Sequence, residues 1–104
     1  NTIGQPTRDR QVAVRELADT VDLMIVIGGY NSSNTKKLVQ VCVEKGVSVY
    51  HIESSMQLEE SWFDNRKHVG ITAGTSTPEY LINEIHQAIL KIAKKMGCLE
   101  TGPV

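Results

Sequence analysis

Serine, threonine and asparagine crowd two places in this chain. One is Gly28-Gly29-Tyr30-Asn31-Ser32-Ser33-Asn34-Thr35, and the other is Thr72-Ala73-Gly74-Thr75-Ser76-Thr77-Pro78. Both carry more hydrogen-bonding groups than a simple change of direction requires. Each runs from glycine through hydroxyls into a segment with helical periodicity. A helix N-terminus offers unpaired N–H groups and partial positive charge, and glycine admits close backbone approach. Such a corner suits phosphate or carboxylate oxygens. The same residue types are also the preferred helix caps, so Ser32, Ser33 and Thr77 are equally well read as caps and nothing more. Convergence of the two loops on one point would favour binding over capping.

Whether they converge depends on the elements that carry them. Apolar runs at residues 22–27, 47–52 and 68–71 predict strands that are short, β-branched and not alternating, as in parallel strands covered on both faces. A helix is predicted over 8–19 with Thr7 as its N-cap, and another over 34–45 that stops at Gly46. Leu38, Val41 and Cys42 share a face of the second. A short helix is expected from Ser54, where Gln57 has capping-box spacing, toward Trp62. The last follows Pro78, with Thr77 as cap and a stripe of Ile82, Ile85, Ile89 and Ile92. Residues 97–104 contain glycine and proline and are expected to fray.

This alternation predicts one α/β domain over residues 1–104: a small three-layer sandwich with a parallel sheet of three or four strands and helices on both faces. In open parallel sheets, ligands sit beyond the carboxyl ends of the strands, where strand order reverses. If the first strand lies between the other two, the polar loops form a cradle suited to a ligand with several oxygens, such as a diphosphate.

Composition narrows the function classes. A net charge of −1 argues against a general nucleic-acid or anionic-membrane partner. No apolar run approaches the ~20 residues of a membrane span, and no signal-peptide pattern opens the chain, so a cytoplasmic location is expected. Cys42 and Cys98 form neither a disulfide framework nor a metal-type spacing. His51, His68 and His86 lack shared ligand spacing and are read as structural, with His86 facing solvent. Trp62 is expected to cover the sheet edge, and Lys36 and Lys37 to lie on a solvated helix face. Starting at Asn1 rather than methionine, the chain is expected to be a piece of a longer one.

Three motifs, in order, resemble one family: NTI with Thr7 and Arg10-Gln11 at the start, NSSNTKKL after a strand, and TAGTSTP before the last helix. The family is hydroxymethylbutenyl diphosphate reductase (IspH, also called LytB), an iron–sulfur oxidoreductase of the non-mevalonate route of isoprenoid biosynthesis. The resemblance covers the whole chain but corresponds only to the C-terminal domain of a longer protein, the N-terminal domains being absent. It implies a diphosphate-binding domain of an enzyme in which three α/β domains surround a 4Fe-4S cluster. That enzyme converts its substrate to isopentenyl and dimethylallyl diphosphate.

By resemblance, the substrate's diphosphate falls to Ser32, Ser33, Asn34 and Ser76, and an active-site threonine near the cluster falls on Thr7. The implied partners are the small allylic diphosphate, the missing domains, and an electron donor such as ferredoxin or flavodoxin. One departure matters. The family motif continues Asn-Thr-Ile-Cys, its cysteine a cluster ligand, whereas this chain has Gly4. No metal ligand and no cofactor are therefore expected in this chain, and in isolation it is expected to be inactive. Cys42, on a buried helix face, does not replace the missing thiolate, and Cys98 in the tail is read as incidental. Two other readings stay open: a non-enzymatic phosphate-ester binding module, and a structural or interaction domain whose loops only cap helices.

Overall fold

The computed structural model describes the backbone of residues 7–96 and 100–103. Its elements run α1 (Thr7–Ala18), β1 (Leu23–Ile27), α2 (Ser33–Lys45), β2 (Ser48–Ile52), two 3₁₀ turns (Ser55–Gln57 and Glu60–Phe63), β3 (His68–Ala73), α3 (Glu79–Met96) and β4 (Glu100–Pro103). All pairings are parallel, and the strand order is β2-β1-β3-β4. The predicted α/β sandwich is what forms.

Strand β1 explains why its sequence is pure hydrocarbon. All five of its residues are buried. Alternate side chains go to opposite faces. Leu23, Ile25 and Ile27 enter a core with Phe63, Val69, Ile71, Ile85 and Ile89. Met24 and Val26 enter a second core with Val14, Leu38, Val41 and Cys42. Helices α1 and α2 thus cover one face, while α3 and the 3₁₀ segment cover the other. The isoleucine stripe behaves as its spacing implies: Ile85 and Ile89 are buried, with Ile82 and Ile92 packed at the margins. His86 is half-buried rather than solvent-facing.

Gly46 ends α2 in the left-handed region, φ +78, with its N–H turned back to the helix carbonyls. At the amino edge of the sheet, the Asp22 carboxylate accepts from the Lys67 and His68 amides, and Arg66 donates to the Asp22 carbonyl and the Ser48 hydroxyl. These bonds tie the starts of three strands together, at the end away from the polar loops.

Three further expectations are corrected. The region from Ser54 toward Trp62 is not one short helix but two 3₁₀ turns, because Leu58 and Glu59 are extended between them. So short a segment cannot offset the cost of helix nucleation without sustained packing along one side. The tail does not simply fray: Glu100–Pro103 pairs with His68–Ile71 as an edge strand. The open ladder of β3 supplies the partner that local propensity did not suggest, and Pro103 is tolerated because an edge strand can lack one donor. Thr7 is the first residue of α1 rather than a cap outside it.

Candidate functional site

Because β1 lies between β2 and β3, the loops after β1 and β3 leave neighbouring strands at the same edge. Strand order reverses here: the chain passes from β1 outward to β2, then crosses back to β3. Register pairs Ile27 with Ala73, so Gly28 and Gly74 occupy equivalent places, each one residue past its strand. The Gly74 N–H donates to the Ile27 carbonyl at 3.0 Å, and the Thr77 hydroxyl donates to the same oxygen at 3.1 Å. Thr77 therefore directs its proton across to the other corner, where the sequence suggested only a cap. Beyond these, the Asn34 amide donates from Nδ2 to Thr75 Oγ1 at 3.0 Å. The two loops meet.

The excess of polar groups in the first corner now has an account. Ser32 N–H closes a turn onto the Gly29 carbonyl at 3.1 Å. The Ser32 hydroxyl caps α2 by accepting from the Thr35 amide at 3.3 Å. Asn34 bridges to the second corner. Ser33, in the first turn of α2, and Ser76, in the turn before α3, are both exposed, and neither hydroxyl bonds to another described residue. Of the residues singled out by resemblance, Ser32, Ser33, Asn34 and Ser76 thus belong to one pair of touching corners. Thr7 is the first residue of α1, the helix that precedes β1. Gly4 and Cys98 lie outside the described residues.

The field at this point favours an anion on one side. The first turn of α2 holds no acidic residue. α3 carries Glu79 in its first turn, which offsets its own positive end. On the β2 side, Glu53 Oε2 accepts from the Tyr30 amide at 3.1 Å. That carboxylate occupies the β2 flank of the corner, opposite the flank on which Asn34 meets Thr75.

Several supporting residues were not legible as such. His51 Nε2 lies 2.8 Å from the Gly28 carbonyl, which fixes that nitrogen as the donor. Its ring meets Tyr30 edge-on at 4.7 Å, and Gln57 donates to the Tyr30 hydroxyl at 2.6 Å. Strand β2 and the turn after it therefore hold the first corner from outside. Trp62 stacks on Tyr50 at 4.0 Å with rings 6° apart, covering the edge strand as expected. An open pocket of about 390 Å³ lies along this edge, lined in part by Tyr50, His51 and Trp62. It reaches the first corner at Tyr30 but is not lined by Ser32, Ser33, Asn34 or Ser76. Thr35, also unremarked in the sequence, is fully buried beneath both glycines.

Cys42 is buried in the α1–α2 core, and desolvation pushes its thiol up from 9.0 to about 11, with a backbone hydrogen bond acting more weakly the other way. The folded state holds the neutral thiol, so this contribution is whole below pH 9 and fades as pH rises toward 11. The gap in urea midpoint between the parent and Cys42→Ala is therefore expected to narrow from pH 9 to 11. A gap that stays constant would mean the thiol is not shielded. Among the described residues, no group of His, Cys, Asp and Glu is placed to hold a metal ion, and no helix is long and apolar enough to cross a membrane.

A family model described as LytB protein matches residues 1–90. A 4-hydroxy-3-methylbut-2-enyl diphosphate reductase of Geotalea uraniireducens is 52% identical over 94 residues, covering 90% of this chain and 33% of that protein. The like-named protein of Geobacter sulfurreducens is 48% identical over 95 residues, covering 91% and 34%. Among solved structures, an (E)-4-hydroxy-3-methyl-but-2-enyl diphosphate reductase, described as the terminal enzyme of the non-mevalonate pathway, superposes with a TM-score of 0.79. Its identity is 44%, over 82% of this chain and 30% of that one. The Plasmodium falciparum E-1-hydroxy-2-methyl-but-2-enyl-4-diphosphate reductase gives a TM-score of 0.76 at 25% identity, over 93% and 30%. The chain spans about a third of the length of the curated relatives it matches.

Proposed function

The chain belongs to the LytB protein family, and from that membership we propose that it is the C-terminal, diphosphate-holding domain of a longer iron–sulfur reductase. The parent enzyme converts hydroxymethylbutenyl diphosphate to isopentenyl and dimethylallyl diphosphate, taking electrons from a ferredoxin or flavodoxin in the cytoplasm. The observation that carries this reading is the Asn34–Thr75 hydrogen bond, which joins two serine-bearing helix starts at the reversal of strand order.

In this reading Ser33 and the free N–H groups of the first turn of α2 bind one phosphate, and Ser76 approaches from the facing loop. Asn34 sets the distance between them and offers its second amide proton. Ser32 holds the helix start in place and has a hydroxyl proton to donate. Thr7, at the start of α1, is the remaining active-site position by resemblance. Such a domain positions the anionic end of the substrate and excludes water from it.

The residues present do not fit a cluster. Gly4, where the family pattern has its cysteine, has no side chain, and Cys42 is enclosed in a core that disfavours its thiolate. No redox step is therefore assigned to this chain, and in isolation it is inactive. Gly4 also favours a second reading, a phosphate-ester binding module that has the cradle without the chemistry.

Titration of the chain with pyrophosphate, followed by amide NMR, is the test. The signals of Ser32, Ser33 and Asn34 are expected to shift together with that of Ser76, along one binding curve with a Kd of about 1 mM, equivalent to about −4 kcal/mol. Silence of both corners at ten times that concentration would leave a structural or interaction domain as the better reading.

A further inference from the structure

Thr35 is a fully buried side chain in the first turn of α2, and its Oγ1 has no hydrogen-bond partner among the described residues. A methyl group placed on Gly28 would lie 2.4 Å from that oxygen, and one placed on Gly74 would lie 2.2 Å from it. The hydroxyl therefore occupies the space where both glycines would carry a side chain, and the Cα of each turns a hydrogen toward it. Contacts of this C–H···O kind are weak singly but recur where backbones approach closely. Gly28 and Gly74 are the first residues of the two corners. One oxygen thus stands between them. A valine would fill the same volume with no unpaired hydroxyl, so packing alone does not call for threonine at this position.

We propose that Thr35 is the positioning residue that sets the separation of the two corners, so that they meet a two-phosphate ligand as one site. It does not touch the ligand. It acts through Gly28 and Gly74, and through its own amide, which donates to the capping Ser32 hydroxyl. The functional half of this inference rests on the anion-binding reading above, whereas the coupling between corners does not.

Both halves can be read from one set of variants: Thr35→Val, which keeps the shape, Thr35→Ala, which opens it, and Thr35→Ser, which keeps the oxygen. Without ligand, Thr35→Val and Thr35→Ala are expected to move the amide signals of Gly74, Thr75 and Thr77, and to speed hydrogen exchange at Gly74. Thr35→Ser should leave them near the parent values. With ligand, the first two are expected to weaken pyrophosphate about fivefold, while the much weaker binding of orthophosphate, which needs one corner only, hardly changes. Thr35→Ser should restore the parent's preference.

A Thr35→Val chain matching the parent in both its Gly74–Thr77 signals and its pyrophosphate-to-orthophosphate ratio would overturn the proposal. If the parent itself ignores pyrophosphate, the anion reading fails alone, and the ligand-free signals still decide whether Thr35 couples the corners.

Discussion

Gly28→Ala is expected to destabilise the chain by about 3 kcal/mol and lower its Tm by about 15 °C, measured by circular dichroism. Two costs add at this residue. Its φ of +154 is one that side chains with a Cβ rarely adopt, and the new carbon would lie 2.4 Å from Thr35 Oγ1. Gly46 separates them, because it also has positive φ, +78, but nothing lies within 4 Å of its Cβ direction. Gly46→Ala should therefore show only the backbone cost, about 1 kcal/mol. The clash should also be relievable: adding Thr35→Ala to Gly28→Ala is expected to recover part of the lost stability, although Thr35→Ala alone destabilises. Equal losses at Gly28 and Gly46, with no recovery in the double variant, would mean the corner yields easily. It would then be a poor device for holding a ligand at fixed geometry.

Phe63→Ala is expected to have a comparable or larger effect, about 3–5 kcal/mol. Phe63 closes the second 3₁₀ turn and is fully buried in the α3-side core, which also holds Ile52, Val69 and Ile89. Domains of this size hold only about 5–15 kcal/mol in total, so the variant should retain little of the parent's margin. Urea unfolding followed by Trp62 fluorescence suits the measurement, because Trp62 sits next to Phe63 and stacks on Tyr50. A midpoint close to the parent's would show that the segment between β2 and β3 is a loosely attached cover. Loss of the Trp62 signal change without loss of the global transition would show that only this cover detaches.

These effects bear on function because each corner is also held by a neighbouring strand. The first is held by β2 through the His51 bond to the Gly28 carbonyl and the Glu53 bond to the Tyr30 amide. The second is held by β1 through the Ile27 carbonyl, which accepts from both Gly74 and Thr77. Each neighbour of the site is thus a strand whose own place depends on the buried layers. Weakening a core contact far from the serines should blur the corners before it unfolds the sheet.

Residues 22–27 announce a strand covered on both faces, because five successive apolar side chains cannot all be satisfied on a half-exposed sheet. Gly46 announces a helix stop, and the isoleucines from Ile82 to Ile92 announce one buried helix face. The two serine-bearing corners were also visible, as was their equivalence, since glycine-then-hydroxyl follows both strands. All of these are local patterns, set by periodicity and by the conformational range of single residues. β4 was not legible, because Glu100–Pro103 has little strand propensity of its own and forms only where β3 offers an open edge. Nor could a capping box at Ser54 and Gln57 tell a helix from two 3₁₀ turns, because it specifies only a first turn and not the extended break at Leu58 and Glu59.

The sequence alone determined where hydroxyl and amide side chains crowd together and that each cluster lies between a strand and a helix. It determined as well that position 4 has no thiolate to offer. Only the tertiary structure decided that the two corners touch, through Asn34 and Thr75, and that Thr35 lies under both. Those facts follow from strand order and from the register of Ile27 with Ala73. Both are long-range pairings, and no short stretch of residues encodes them.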